Sequence, residues 1–219
     1  MASLNGQGSS AGCPSHPPTA ILVLTKSIIR PYAHGDAPSL AKSANNPNVA
    51  QYLRNMFPSP YTLADAEWWI EHCLSHPKNE PHENYALIHA TSGDVMGGLS
   101  IKLGGDVYCR SAELGYWIGE EYWGKGVMVQ AVSAFVDWVF ENVRVKDKES
   151  NEHGLLKVWA GTFGKNTGSE AVLKKIGMQF EGKLRGSVWK NGVVMDQLLY
   201  GMTWEDWRNI KAREEAAEL

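Results

Sequence analysis

The residues best placed for chemistry lie in Glu121-Tyr122-Trp123-Gly124-Lys125-Gly126, where an aromatic, strand-like run gives way to a helical pattern. Two glycines, Gly124 and Gly126, bare the backbone there, so successive N–H groups can converge on one point. The helix that follows adds the positive end of its dipole. Lys125 adds a point charge. A pyrophosphate suits such an arrangement, but so does a plain strand-to-helix turn that needs positive φ and holds no ligand. Two other nucleotide motifs fail on detail. A P-loop needs Gly-Lys-Ser/Thr at its end, whereas Lys125 stands between the glycines with no Ser or Thr after it. A dinucleotide fingerprint needs a third glycine where Val129 stands.

A second pair is Asn166 and Ser169, whose i, i+3 spacing turns both toward one side of a helix opening. Asn166 is equally well explained as the cap of that helix.

These residues need elements to hold them. "ILVLTKSIIRPYA" reads as one strand closed by Pro31, and a helix from about Asp36 breaks near Asn46-Pro47 into a short second piece. Thr62 and Asp65 form a capping-box-like pair, followed by a helix with Leu63, Ala66, Ile70 and Leu74 on one face. "NYALIHA" and "VMGGLSIKLG" are strands joined by a tight turn. A third strand runs from about Val107 to Ile118, with Ala112, Leu114, Tyr116 and Ile118 alternating against Glu113, Gly115 and Trp117. From Gly126 the period becomes helical, with Val127, Ala131, Ala134 or Phe135, Trp138 and Val139 as the apolar stripe. "LLKVWAGTF" is a strand, "NTGSEAVLKKIGM" a helix ended by Gly177, and two last strands meet at the hairpin signal "KNG". The tail "WEDWRNIKAREEAAEL" reads as an exposed helix. The order implies a single α+β domain, a mixed sheet with helices on both faces.

The bulk numbers agree with one domain in 219 residues, of which 43% are hydrophobic. A net charge of −3 offers no field for nucleic acid. No run of ~18 apolar residues is present to cross a membrane. Cys13, Cys73 and Cys109 are odd in number and far apart, giving neither a disulfide framework nor a metal spacing. That points to a reducing compartment, the cytoplasm, and to no metal. Residues 1–19 are small, polar and Pro/Gly-rich, without the make-up of a signal peptide, and read as a disordered tail. The expected layout is therefore tail 1–19, domain 20–204 and C-terminal helix 205–219.

The glycine stretch, with its flanks "AELGYWIGEEYWGKG", resembles motif A of the GNAT superfamily of acyl-CoA-dependent N-acetyltransferases, whose loop is Q/R-x-x-G-x-G/A. It is most similar to the RimJ/RimL branch. "NTGSEAVLKKIGMQFEGKLRGSVWKNGVVMDQLLYGM" resembles the same branch's Asn-x-x-Ser helix, Lys-x-Gly turn and closing hairpin. The likeness covers about Ile21 to Trp204. Three positions depart from the pattern. Glu121 replaces the preferred Gln or Arg, Leu173 replaces a tyrosine that protonates the leaving thiolate in many members, and Met178 replaces a phenylalanine.

The resemblance implies a GNAT fold in which two central strands splay and acetyl-CoA, the cosubstrate, enters the gap. Trp117 and Ile118 would offer backbone groups to its pantetheine, and Gly124 to Met128 would hold its pyrophosphate. Asn166 would contact CoA, and Ser169 would protonate the thiolate. Lys175 would either reach a CoA phosphate or sit on a solvated helix face. The acceptor is a primary amine of a small molecule or a protein N-terminus, attacking directly in a ternary complex. A silent acyl-CoA-binding sensor is the alternative class. Acetyl transfer needs a neutral amine, and Glu113, beside the acetyl group, is the expected base through water, unless Arg110 or Lys102 simply pairs with it. Asp196 is a second acid, either holding a cationic substrate or pairing with a lysine. Of Trp68 and Trp69, on the helix expected to border the acceptor cleft, one is core. The other, taken as Trp69, lines the substrate pocket or a homodimer contact.

Overall fold

The computed structural model describes residues 19–75, 83–146 and 150–217. The expected tail falls outside these residues, except for Thr19. The chain opens with a tight hairpin, β1 (Leu22–Val23) and β2 (Ser27–Arg30), where the sequence reading has one continuous strand. The reversal at Leu24–Lys26 sits inside an unbroken β-branched run, so composition alone does not mark it. α1 (Ala37–Ala44) and α2 (Pro47–Ala50) follow, the second capped by Asn46, whose side chain accepts from the Asn48 N–H at 2.8 Å. Arg30 holds the entry to α1 through both oxygens of Asp36, at 2.7 and 2.8 Å. α3 (Leu63–Ser75) has the expected cap, with Thr62 and Asp65 exchanging hydrogen bonds. Its buried face is narrower than the pattern suggests: Ala66 and Ile70 are buried, whereas Leu63 and Leu74 are exposed.

β3 (Asn84–His89) and β4 (Val95–Leu103) form the expected meander with β5. β5 begins at Ser111 and ends at Ile118, four residues later than expected, because Asp106 takes φ 53 and starts a 3-10 turn through Tyr108. α4 (Val127–Asn142) buries Val127, Ala131, Phe135 and Val139, with Trp138 half-buried beside them. A small two-stranded sheet, β6 (Arg144–Lys146) with β7 (Glu152–Gly154), escapes the sequence reading. β8 (Lys157–Phe163), α5 (Thr167–Lys175), β9 (Gln179–Lys190) and β10 (Val193–Thr203) complete the sheet. Asn191 and Gly192, both at positive φ, close the β9–β10 hairpin.

α6 (Trp204–Ala217) has no buried residue, as expected of an exposed helix, but it is not free of the domain. Trp207 lies against Phe140 with ring centroids 5.4 Å apart and donates to Asp137 at 2.8 Å, and Lys211 reaches the other Asp137 oxygen at 2.7 Å. The tail is docked onto α4.

The eight-stranded sheet runs β1-β2-β3-β4-β5-β8-β10-β9, and only β5 and β8 are parallel. One core lies between the sheet and α4, α5 and α6, centred on Phe135 and Tyr85. The other lies on the opposite face beneath α1 and α3, around Tyr32, Leu40 and Ile70. The class is α+β with helices on both faces, as the element order implies.

The parallel ladder is short, and it opens the candidate site. β5 and β8 pair at Ser111–Lys157, Ala112–Val158 and Glu113–Trp159, then part. Beyond that point β5 stays paired to β4 as far as Ile118, and β8 stays paired to β10 as far as Phe163. The sheet therefore opens in its middle into a gap with a free strand edge on each side.

Candidate functional site

A cavity of about 680 Å³ occupies this gap. β5 contributes Glu113 through Trp117, β8 contributes Ala160 through Phe163, and α5 contributes Asn166 and Ser169. The α2–α3 loop adds Arg54 and Phe57, and α3 adds Trp68 and Trp69.

Strand parity assigns the backbone groups. Gly119 N–H donates to Met96 O, and Gly104 N–H to Ser111 O, each at 2.8 Å, so the odd-numbered residues of β5 turn their backbone toward β4. Leu114, Tyr116 and Ile118 then present theirs to the gap. This corrects the expectation for Trp117, whose backbone belongs to the β4 ladder. What Trp117 gives the cavity is its ring, packed edge-on to Phe57 at 5.2 Å. Ile118 keeps its N–H for the gap, because its carbonyl already accepts from Trp123 Nε1 at 2.9 Å.

The glycine loop stands at the end of the same strand. Gly124 and Gly126 have φ 71 and 73, the left-handed conformation that glycine alone adopts at little cost. A Cβ on Gly124 would meet open space, and one on Gly126 only Lys26 Nζ at 3.7 Å. Gly126 caps α4 without a side-chain acceptor, so the first N–H groups of that helix have no partner within it. The side chains of Val127 and Met128 are buried, which leaves their backbone as the surface on offer. Lys26 Nζ braces the loop by donating to Lys125 O at 2.8 Å, while the Lys125 ammonium is exposed, 5.9 Å from the Tyr122 ring.

Across the gap, Asn166 does cap α5, accepting the Ser169 N–H at 3.1 Å, and it also lines the cavity. Ser169 Oγ lies 2.8 Å from the hydroxyl of Tyr116. Burial pushes the Tyr116 phenol well above its ordinary pKa, so it stays a neutral hydroxyl. Leu173, one turn further along α5, is wholly buried and serves packing.

Glu113 lies on the opposite face of β5, at the last residue pair before the strands part. Its carboxylate is 21% exposed and is paired with Arg54, not with Arg110 or Lys102. Lys102 faces Glu113 in the β4–β5 register, yet the loop arginine is the ion-pair partner. Trp69 lines the cavity and also engages the buried Tyr32 hydroxyl, so it joins the α3 core to the pocket. Trp68 is more exposed and stacks on His72 with centroids 5.2 Å apart.

Of the expected site residues, Ile118 and Gly124 to Met128 stand at the mouth outside the cavity lining, and Asp196 and Lys175 lie outside it as well. Asp196 is held by Lys183 Nζ at 2.7 Å and by the Gly186 N–H at 2.8 Å. The bond to Lys183 holds its carboxyl below the usual range, and the Gly186 N–H adds to this. Its neighbour Gln197 lines the cavity instead. Lys175 is exposed in the last turn of α5, away from the cavity lining. Two residues that the sequence reading did not single out do belong there, Arg54 and Tyr116. The only sequence signal for Tyr116 was its core-facing parity on β5, and nothing in the sequence marked Arg54.

A splayed mixed sheet with a baring glycine loop at its mouth defines an acyl-CoA-type fold, and the comparisons agree. The chain matches the acetyltransferase (GNAT) domain over residues 26–179. It belongs to the GNAT acetyltransferase family. Over 102 residues it is 31% identical to the putative ribosomal N-acetyltransferase YdaF of Bacillus subtilis (strain 168), covering 47% of this chain and 50% of that one. A 33% match to the probable N-acetyltransferase YjcK of the same organism covers 44% of this chain and 42% of that one. The chain thus spans half or less of the length of these relatives. Among solved structures, the ribosomal-protein-S5-alanine acetyltransferase of Vibrio fischeri aligns with TM-score 0.68 at 21% identity, over 85% of this chain and 97% of that one. RimL, a ribosomal L7/L12 alpha-N-protein acetyltransferase in complex with coenzyme A, aligns with TM-score 0.67 at 17% identity, over 84% and 98%. At 21% and 17% identity these two structures show the likeness of fold.

Proposed function

We propose that the protein transfers an acetyl group from acetyl-CoA to a primary amine, of a protein N-terminus or a small molecule, by direct attack in a ternary complex. The observation that carries this reading is the division of the gap: a carboxylate on one face of β5, a serine hydroxyl on the other, and free backbone edges between them. The pantetheine amides pair with the Tyr116 and Ile118 backbone, and the pyrophosphate rests on the N–H groups from Gly124 to Met128. The amine enters from the aromatic side bounded by Phe57, Trp68 and Trp69. Its nitrogen bonds to the acetyl carbon as the C–S bond breaks. The proton leaving nitrogen passes through water to Glu113, and the departing sulfur is met by the Ser169 hydroxyl.

Arg54 stands where an incoming ammonium would sit, so a cationic acceptor takes over its contact with Glu113. Asp196 is withdrawn from the substrate role and left to its lysine. Lys175 is left on the solvated face of α5.

Thiol release from acetyl-CoA, followed across a panel of peptides with free N-termini and of metabolite amines, tests the reading. Acceptor-dependent release, lost in Glu113→Gln with a basic amine, is the expected result. Tight CoA binding without release on any acceptor would instead favour the acyl-CoA sensor.

A further inference from the structure

We propose that Tyr116 is a positioning residue for Ser169: its phenol donates to Ser169 Oγ and so turns the serine's own hydrogen into the cavity. The inference rests on the reading of Ser169 given above and adds a second residue to it.

The two side chains come from elements 53 residues apart in sequence, β5 and the first turn of α5. Tyr116 Oη lies 2.8 Å from Ser169 Oγ and 3.2 Å from the Ser169 carbonyl oxygen. A carbonyl can only accept, and this one already serves the α5 ladder, so Oγ is the better acceptor for the single phenolic hydrogen. Of two touching hydroxyls the more acidic one donates, and a phenol is far more acidic than an alcohol. The other order, serine donating to tyrosine, would leave no hydroxyl hydrogen facing the gap. Once a thiolate forms there, only the chain phenol to serine to sulfur gives the sulfur a hydroxyl donor, and each bond in such a chain strengthens the next.

The ring is itself anchored. Tyr116 packs against the core beneath α4 and α5, and its burial keeps the hydroxyl protonated. The chain consumes no proton of its own. The amine proton passes to Glu113, the leaving thiolate is held by the Ser169 hydrogen bond and takes its proton from solvent, and both hydroxyls keep their own hydrogens.

A double-mutant cycle decides the matter. Tyr116→Phe removes the hydroxyl and keeps the ring, so the fold and its melting temperature should hold. Its kcat should fall roughly five- to tenfold, the worth of one hydrogen bond, with the KM for acetyl-CoA within about twofold of wild type. In a Ser169→Ala background the same change should cost nothing further, because Tyr116 acts through that oxygen. Equal losses in both backgrounds would mean a structural role and overturn the proposal, as would a full kcat in Tyr116→Phe. If Ser169→Ala itself keeps full kcat, the reading of Ser169 falls and this proposal with it. Site-specific 3-fluorotyrosine at position 116 provides a second variant that retains the hydroxyl. Wild-type kcat is expected from it at pH 7, and a drop to the level of Tyr116→Phe would also overturn the proposal.

Discussion

Replacing Glu113 with glutamine gives the sharpest test of the chemistry. The amide matches the carboxylate in size and still accepts a hydrogen bond from Arg54, so the loop contact persists while the base is lost. The size of the effect depends on the acceptor. At pH 7 a lysine-type amine is neutral in one molecule in ~2,500, an α-amine of pKa near ~7.8 in one in ~7. A base can therefore gain much on the first and little on the second. The kcat/KM of Glu113→Gln should fall ~10²-fold for an alkylamine, and no more than ~sevenfold for an N-terminal peptide. Raising the pH should rescue the variant, because solvent then removes the proton: ~tenfold between pH 7 and 8 for the alkylamine, and ~fourfold for the α-amine. Paired pH–rate profiles of wild type and variant on one acceptor measure all of this. Parallel profiles of equal height would show that Glu113 is only a strand residue held by Arg54.

Three further outcomes are expected. Gly126→Val places a branched residue at φ 73 on the loop surface, and CoA affinity by calorimetry should fall at least ~tenfold, ~1.4 kcal/mol. Gly93→Ala, at φ 77 in the β3–β4 turn, is the control that should cost stability and not affinity. Asp36→Ala strips the Arg30 guanidinium, 11% exposed, of both its carboxylate bonds, and urea unfolding should show a loss of ~3–5 kcal/mol. Burial pushes the Cys73 thiol up to about 12, so it is un-ionised at pH 8, and alkylation mapped by mass spectrometry should label the Cys73 peptide only once urea unfolds the chain.

What the sequence made legible was local. Caps, glycine stops and periodicity placed Thr62, Gly126, Asn166, Gly177 and the Asn191-Gly192 turn, because each acts over a few residues of chain. The misreadings share a cause. The β1–β2 reversal lies in residues that are good strand formers in either arrangement, and the late start of β5 follows from the backbone of one residue, Asp106. Trp117 was assigned to the wrong edge because alternation reveals which side chains share a face, whereas the ladder with β4 decides which backbone groups are free. Arg54 and Tyr116 enter the site through partners 59 and 53 residues away, and no local pattern records such a meeting. The cavity is built from such meetings.

The three-pair seam between β5 and β8 also divides the molecule mechanically. β1 to β5 form one half-sheet and β8 to β10 another, and apart from that seam the two are joined chiefly by the apolar face of α4 and its neighbours. Halves joined by so short a seam are expected to part locally at less than the cost of global unfolding, although one apolar core spans both. A donor lying along the free edges acts as a clasp, hydrogen-bonded to one half while wedged against the other. Hydrogen exchange should then find the amides of Tyr116 and Ile118 fast in the free protein and slowed when donor is bound. Donor at a hundred times its dissociation constant adds ~2.7 kcal/mol to the stability of the whole. If acetyl-CoA is the donor, as proposed above, its concentration should set the chain's resistance to proteolysis as well as its rate, and limited proteolysis with and without acetyl-CoA measures this.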